Sequence, residues 1–191
     1  SFLEFCKNKI ILNYVEQILG SDFALWNSSF FAKPANDGHA TPWHQDGQYW
    51  PIRPLATCTV WLAIDDANVE NGCLRFIKGS HKEKKLKSHN INDNKNLTLN
   101  QELDESEYNE KDAVNLTLKR GQISLHDVYL VHGSEANNSS MARRAVTMRF
   151  MPTSSVFDHQ MVKEKNLFSK LNASKYKAVS YTHLTLPTTG I

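Results

Sequence analysis

Residues 57–64 have the sequence TCTVWLAI and form the clearest strand signal in the chain. All eight residues are apolar, aromatic or β-branched, a composition typical of β-strands. The pair Asn71-Gly72 that follows is a strong turn signal, and the run CLRFI at 73–77 has the same strand character. Together these runs predict a hairpin-like unit within a β-rich fold.

Strand-like runs also lie on both sides of this unit. They begin at Phe23 and return at 113–118, 123–131 and 145–150. One amphipathic helix is expected over 3–19, because apolar residues recur there at helical spacing and Gly20 is a natural stop. The order of elements predicts a mostly β fold with flanking helices, namely a double-stranded β-helix of the jelly-roll, cupin-like type.

The domain organisation is predicted to be simple, with a single domain over 1–178. Residues 82–112 are rich in Lys, Asn and Glu and have little periodicity, which predicts a surface insertion. Because Ser1 falls directly into a helical pattern, we expect an N-terminal part of the domain to be missing. Residues 179–191 differ in character from the segment before them and are expected to be a non-native tail.

Composition excludes several classes of protein. The chain has 191 residues, with 22 Lys plus Arg against 20 Asp plus Glu, so its net charge gives no reason to expect nucleic acid or an anionic membrane as partner. The three cysteines lack CxxC spacing and an even count, which argues against disulfides and a zinc knuckle. We therefore expect free thiols and a cytoplasmic location; the oligomeric state is left open.

A histidine and an acid lie one residue apart in the stretch PWHQDGQYW at 42–50. Side chains at i and i+2 of a strand point to the same face, so His44 and Asp46 are predicted to project side by side. An imidazole nitrogen and a carboxylate oxygen are two ligands for a divalent metal. Taken alone, His-x-Asp is a weak signal, because it often arises by chance and a hydrogen-bonded pair at a strand end is the simpler explanation.

A third ligand must come from another part of the chain, and the candidates are His39, His81, His89, His126, His132 and His159. His132 is a candidate, because it ends a strand-like run and is followed at once by Gly133-Ser134. His126 shares the parity of His132, so periodicity alone cannot choose between them. Two histidines and one carboxylate leave coordination positions open, as in non-haem Fe(II) oxygenases.

An arginine pair could supply a cationic site for an acidic cosubstrate. Arg143-Arg144 opens the strand after the loop 133–142, and an antiparallel arrangement would return it close to His132. Arginine can hold a carboxylate through two parallel hydrogen bonds. By alternation, one face of this strand is polar and the other is apolar, the polar face comprising Arg143, Ala145, Thr147 and Arg149.

Three segments together resemble one known family. They are TPWHQDGQYWPIRP at 41–54, VWLAIDDANVENGCLRFIKGSH at 60–81 and GQISLHDVYLVHGSEANNSSMARRAVTMRFMP at 121–152. In this order they resemble the phytanoyl-CoA dioxygenase family of Fe(II)- and 2-oxoglutarate-dependent oxygenases, and its bacterial-type members most closely. The resemblance covers roughly residues 25–155.

The resemblance implies roles for particular residues. It implies that Fe(II) is bound by His44, Asp46 and His132, with His132 chosen over His126. For the far carboxylate of 2-oxoglutarate it implies Arg143, rather than Arg144, together with Ser134. Trp61 matches a position that lines the cosubstrate pocket, and Thr59 and Asn27 are weaker candidates there.

The resemblance also implies a reaction. We expect a dioxygenase that uses O2 to hydroxylate an unactivated C–H bond of a small organic substrate, with succinate and CO2 as co-products. Asp46 favours hydroxylation, because related halogenases carry a small residue at this position. The alternative is a cupin-like module that binds a metal or ligand without catalysis. Trp43, Tyr49 and Trp50 are expected either to wall the site or to pack the barrel.

Overall fold

The computed structural model describes residues 2–48 and 50–164 of the chain. Tyr49 and the predicted tail at 179–191 therefore lie outside the described residues. The strands, in chain order, are β1 (Phe23–Lys33), β2 (Thr41–His44), β3 (Ile52–Arg53), β4 (Cys58–Ala63), β5 (Leu74–Ile77), β6 (His89–Ile91), β7 (Gln101–Leu103), β8 (Ala113–Leu116), β9 (Ile123–Asp127), β10 (His132–Ser134), β11 (Arg143–Pro152) and β12 (Val156–Phe157).

The helical segments lie mainly at the two ends of the described chain. They are α1 (Phe2–Cys6), α2 (Lys9–Leu19) and α3 (His159–Glu164). The prediction of one helix over 3–19 is wrong at Asn8, whose side chain accepts hydrogen bonds from the N–H groups of Ile10 and Ile11 and so caps a new helix. The predicted stop is confirmed, because α2 ends at Leu19 and Gly20 has φ +83°.

Two four-stranded sheets form the jelly roll that the sequence predicts. Their strand orders are β1-β11-β4-β9 and β2-β10-β5-β8. Two smaller sheets pair β12 with β3 and β6 with β7. In the described part of the chain, no helix combines the length and apolarity needed to cross a membrane.

The described chain clusters into two compact units. Among the described residues, one unit comprises 2–27, 50–58 and 149–164, and the other comprises 28–48 and 59–148. In the first unit, Phe23 packs edge-on against Phe150 with ring centroids 5.7 Å apart. In the second unit, one apolar cluster gathers around Trp61, Ala63 and Ala145, and another contains Ile77, Leu103 and Val131.

The hairpin predicted from 57–77 is wrong, although both of its strands exist. β4 and β5 lie in different sheets, so the connection between them crosses from one sheet to the other. Asn68 and Asn71 close this connection by exchanging backbone-to-side-chain hydrogen bonds of 2.8 and 3.0 Å. These asparagine bonds build a wide loop, which a two-residue hairpin turn cannot provide.

The single strand predicted over 123–131 is also wrong. Asp127 ends β9, because its Oδ1 accepts a hydrogen bond from the N–H of Tyr129 and its carbonyl accepts one from Leu130. The chain then enters β10 at His132, in the other sheet. His126 and His132 therefore come from two different strands, so strand parity does not relate them.

Strand β11 departs from the predicted polar and apolar faces. Side chains of both parities are buried, because Arg143 is 3% exposed while Val146 and Met148 are fully buried. The strand lies between β1 and β4 and does not pair with β10, so the predicted antiparallel arrangement of these two strands is wrong. Both faces of this strand are therefore covered by other parts of the protein, and the arginine at its start is buried with them.

The segment 82–112 has more regular structure than its composition suggests. It contains the two-stranded sheet β6–β7 and two short 3-10 helices, Glu105–Glu107 and Glu110–Asp112. Most of its side chains are exposed or half-buried, but Leu103 is 2% exposed and packs in the Ile77 cluster. An apolar contact thus attaches the segment to the rest of the second unit.

Gly72→Ala is expected to destabilise the protein by about 2–4 kcal/mol. The cost combines a left-handed backbone at φ +76° with a new Cβ placed 2.5 Å from the carbonyl oxygen of Glu135. Gly121 is the matched control, since it has φ +83° but nothing within 4 Å of the added Cβ. Gly121→Ala is expected to cost only about 1–2 kcal/mol. Urea unfolding of both variants measures the difference, and equal losses would contradict the role assigned to the close contact.

Candidate metal centre

Three predicted ligand residues converge in the second unit. His44 is the last residue of β2, and Asp46 begins a 3-10 turn (Asp46–Gln48) rather than continuing the strand as predicted. His132 is the first residue of β10, which pairs antiparallel with β2 so that His132 lies directly opposite His44. Strand pairing thus brings together residues separated by 88 positions in the chain (132 − 44).

A glycine permits this close pairing of strands. Gly133 follows His132, and a Cβ at this position would lie 3.0 Å from the carbonyl oxygen of Thr41 in β2. The register between β10 and β2 also shifts between His132 and Ser134, which indicates a local bulge. Bulges of this kind redirect side chains next to functional sites.

The geometry of the three residues suits a divalent metal ion. One ligand atom from each lies within 4.8 Å of the others. The Nε2 atom of His44 is 3.5 Å from Oδ1 of Asp46, and Nε2 of His132 is 4.0 Å from the same oxygen. All three residues are buried, with exposures of 5%, 7% and 8% in chain order.

Backbone carbonyls fix the orientation of both histidine rings. Nδ1 of His44 lies 2.9 Å from the carbonyl oxygen of Pro42, and Nδ1 of His132 lies 2.9 Å from that of Leu130. A carbonyl only accepts, so each Nδ1 carries the proton and donates it. Each Nε2 is consequently left with a lone pair directed at the cluster, which is the arrangement of metal-binding histidines.

Burial keeps the imidazole of His132 neutral. Burial, with a further contribution from His44, lowers the pKa of His132 to about 3, although Asp46 opposes the shift. A neutral imidazole is the form that binds metals. The donor set therefore fits a divalent ion bound by two imidazole nitrogens and one carboxylate oxygen.

Gln45, between the two ligands of the HxD motif, is fully buried and faces away from them. Its Nε2 donates to the carbonyl oxygens of Lys85 and Tyr129 at 3.1 and 2.7 Å, and its Oε1 accepts from the N–H of Lys87 at 2.8 Å. The N–H of Gln45 donates to Nε2 of His89 at 3.1 Å. The start of the 82–112 segment is thus bonded to the residue between His44 and Asp46, which the sequence did not predict.

Gln45→Leu is expected to lower the free energy of unfolding of the metal-free protein by about 2–4 kcal/mol. The substitution leaves up to three backbone groups without their hydrogen-bond partner. Each such group costs about 1–3 kcal/mol where water cannot take the place of the lost partner. Gln122 is the control, because it is exposed and its Oε1 accepts one bond, from the N–H of Lys119. Gln122→Leu is expected to change stability by less than about 1 kcal/mol, and comparable losses in denaturant melts would refute this account of Gln45.

A buried cation lies beside a tryptophan in the same unit. Arg143 is 3% exposed, and its guanidinium carbon is 5.5 Å from the ring centroid of Trp61. Within the described residues, its only hydrogen bond runs from Nε to the carbonyl oxygen of Gly72, at 3.1 Å. Burial lowers the pKa of Arg143 to about 10, which still leaves it charged at neutral pH. The rest of the guanidinium fork is available to an anion.

A second buried cation, Lys33, forms hydrogen bonds at the end of β10. Its Nζ donates to the carbonyl oxygens of His39, Ser134 and Glu135 at 2.6, 3.4 and 2.5 Å. Burial, followed by the positive charge of Arg143, lowers the pKa of Lys33 to about 7, whereas Glu135 raises it. Lys33 is not among the residues predicted from the sequence, and only its place in an otherwise apolar strand end could have signalled it.

The other candidate residues have distinct surroundings. Ser134 is buried at the end of β10, and Thr59 lies two residues before Trp61 on β4, with its Oγ1 buried and lacking a hydrogen-bond partner in the described chain. Asn27 lies in the first unit, where its Oδ1 accepts a bond of 2.8 Å from Arg149. Arg144 is exposed and forms a two-pronged pair with Asp65 at 2.7 and 2.8 Å.

The aromatic neighbours of the HxD motif contribute to packing. Trp43 packs against the Ile77 cluster and lies 5.5 Å from the ring of Tyr108. Trp50 packs edge-on against Trp26 in the first unit, with centroids 5.0 Å apart. Both contacts fit the packing role.

A cavity of about 340 Å³ adjoins His132. Its walls are mostly apolar, and its polar members include His81, Ser124 and His126. Each of these three residues has a buried side-chain atom that lacks a hydrogen-bond partner among the residues described. The cavity is large enough for a small organic molecule.

Fold and site together define a class, the jelly-roll proteins with a buried His-Asp-His cluster able to hold a divalent metal. The profile of one family, phytanoyl-CoA dioxygenase (PhyH), matches residues 2–145. The chain belongs to the phytanoyl-CoA dioxygenase family.

Individual relatives agree with this assignment. The chain is 32% identical over 152 residues to the phytanoyl-CoA dioxygenase domain-containing protein 1 homolog of Dictyostelium discoideum, covering 78% of this chain and 54% of that protein. It is 31% identical over 156 residues to the peroxisomal phytanoyl-CoA dioxygenase of Homo sapiens, covering 76% of this chain and 44% of that protein. The chain thus spans about half the length of these relatives.

Solved structures show the same fold. The apo form of the non-heme monooxygenase ThoJ is 26% identical and superposes with a TM-score of 0.66, covering 78% of this chain and 54% of ThoJ. EvdO2 of Micromonospora carbonacea var. aurantiaca, solved with 2-oxoglutarate, is 26% identical with a TM-score of 0.64 and covers 76% and 59% of the two chains.

Proposed function

We propose that the protein is an Fe(II)- and 2-oxoglutarate-dependent dioxygenase that hydroxylates an unactivated C–H bond of a small organic substrate. The observation that carries the proposal is the cluster of His44 Nε2, His132 Nε2 and Asp46 Oδ1, with both Nδ1 protons held by backbone carbonyls. Three protein ligands on one side leave positions open for cosubstrate and O2. A structural zinc site would need a fourth protein ligand.

Fe(II) with 2-oxoglutarate and O2 supplies the oxidising chemistry when these are bound. In the overall reaction, one oxygen atom enters the substrate C–H bond and the other enters succinate, with release of CO2. The chain's own part is to hold the metal through His44, Asp46 and His132. Their burial also excludes water from the reacting groups.

Arg143 is proposed to bind the far carboxylate of 2-oxoglutarate. Its guanidinium is buried over Trp61, and in the part of the chain that is described only Nε is engaged, so the remaining donors suit a carboxylate. Ser134, Trp61 and Thr59 are proposed to line the same pocket, and the Thr59 hydroxyl is a buried group in need of a partner. Asn27 is a weaker candidate, because Arg149 already engages its side chain.

The substrate is proposed to be a small molecule with apolar character. The cavity beside His132 is lined mainly by apolar side chains such as Leu74, Phe76 and Leu130. The buried free thiols Cys6, Cys58 and Cys73 fit a reducing, cytoplasmic location, which is part of this proposal.

A screen for oxygen incorporation tests the hydroxylase assignment. The purified protein with Fe(II) and 2-oxoglutarate is incubated under 18O2 with acyl-CoA thioesters, amino acids and small natural products. We expect one class of compound to raise succinate release and to yield a product carrying a single 18O atom. A product of unchanged mass that forms together with succinate would show that the protein catalyses an oxidative reaction other than hydroxylation. Binding of zinc without 2-oxoglutarate binding would instead favour the non-catalytic, cupin-like module.

A further inference from the structure

His126 is a third histidine beside the candidate metal centre, and the proposed function assigns it no role. It lies on β9, in the opposite sheet from His132, and the two ring centroids are 4.9 Å apart. Its side chain is 8% exposed. Its Nε2 is a buried polar atom without a hydrogen bond to any described residue, and such atoms call for an explanation.

The two carboxylate oxygens of Asp46 face different neighbours. Oδ1 is the oxygen near the ligand nitrogens, at 3.5 Å from His44 Nε2 and 4.0 Å from His132 Nε2. Oδ2 is the oxygen near His126, at 3.8 Å from its Nε2. A movement of about 1 Å by either side chain would close this gap to hydrogen-bond length.

We propose that His126 is a positioning residue for Asp46, donating a hydrogen bond from Nε2 to Oδ2 so that Oδ1 alone serves as the metal ligand. The inference rests on the proposed function for the identity of the metal site. A carboxylate held in this way cannot rotate to offer both oxygens to the metal, so a coordination position stays open. Hydrogen-bond partners of metal ligands commonly contribute 10–100-fold to metal affinity.

The geometry distinguishes positioning from direct ligation. The cluster whose ligand atoms all lie within 4.8 Å of one another contains His44, Asp46 and His132, and His126 is outside it. A fourth ligand would have to bring its donor atom into this cluster. His126 instead approaches Oδ2, whereas Oδ1 is the oxygen paired with the nitrogens of His44 and His132.

Binding of Co2+ to the metal-free protein tests the proposal without requiring catalysis. His126→Leu removes the donor, whereas His126→Gln places an amide N–H at a similar reach. We expect the leucine variant to bind Co2+ about 10–100-fold more weakly and to show an altered visible Co2+ spectrum, because the hydrogen bond that orients Oδ2 of Asp46 is lost. The glutamine variant is expected to stay within about threefold of wild type with an unchanged spectrum.

Ser124→Ala is the matched control. Ser124 lies two residues before His126 on β9, lines the same cavity and has a buried hydroxyl without a partner in the described chain. Its substitution is expected to leave Co2+ affinity and spectrum unchanged. If the leucine variant does not fold, His126→Asn replaces it, because the shorter amide does not reach Oδ2.

Two results would overturn the proposal. Wild-type affinity and spectrum in folded His126→Leu would exclude a positioning role, and complete loss of Co2+ binding in both the leucine and glutamine variants would make His126 a ligand. If the leucine and glutamine variants bind Co2+ as expected but the wild-type protein forms no succinate, the proposed function is contradicted and the positioning role of His126 is not.

Discussion

Asp46→Ala and His44→Ala are each expected to abolish succinate formation from 2-oxoglutarate. Either change removes one of three ligand atoms that lie within 4.8 Å of one another, and the two remaining groups cannot enclose the metal. We expect metal affinity to fall by more than ~100-fold, beyond the effect of losing a hydrogen-bond partner of a ligand. Calorimetric Co2+ titration and a succinate assay measure the two effects.

His39→Ala is the control for this pair of variants. His39 is exposed, and the bond that Lys33 makes to it uses its backbone carbonyl, which the substitution preserves. Metal affinity and succinate formation are expected to match the wild type. Wild-type succinate formation by Asp46→Ala or His44→Ala would eliminate the assigned metal centre.

Arg143→Ala is expected to weaken 2-oxoglutarate binding by about 30-fold or more, whereas Arg144→Ala is expected to change it by less than threefold. Removing one partner of a buried charge pair costs about 2–5 kcal/mol, and every 1.4 kcal/mol is a factor of ten. Arg143 is buried over Trp61, but the side chain of Arg144 is 59% exposed and already paired with Asp65. An exposed pair contributes at most about 1 kcal/mol.

Arg143→Lys refines this comparison. Lysine keeps the positive charge but lacks the planar fork, so we expect an affinity between those of the wild type and the alanine variant. Calorimetric titration of the metal-loaded protein with 2-oxoglutarate provides the affinities. Equal losses in Arg143→Ala and Arg144→Ala would contradict the distinction between the two arginines.

Much of the fold could be predicted from local patterns. The run 57–64 becomes β4, and the β-rich pattern with its interruptions correctly indicates a jelly roll. The partners of the strands could not be predicted, because β4 and β5 are separated by a loop that side chains of Asn68 and Asn71 shape in three dimensions. Sheet membership depends on such long-range packing rather than on strand propensity.

The same limit applies to the candidate site. The proximity of His44 and Asp46 follows from their spacing, but that of His132 depends on the pairing of β10 with β2. Asp127 was a usable signal, since its side chain ends β9 and thereby moves His126 and His132 into different sheets. No local pattern indicates that Gln45 bonds to the 82–112 segment, because its partners are backbone groups about 40 and 84 residues away.

Metal-dependent turnover of 2-oxoglutarate by the wild-type protein is the most direct test of the central claim. Succinate and CO2 are measured in air with Fe(II), and again with Zn(II) or without O2. We predict equal amounts of succinate and CO2 that require both Fe(II) and O2. A folded, Fe(II)-loaded protein that forms no succinate and does not bind 2-oxoglutarate in calorimetry would contradict the assignment of His44, Asp46 and His132 as the iron centre of a dioxygenase.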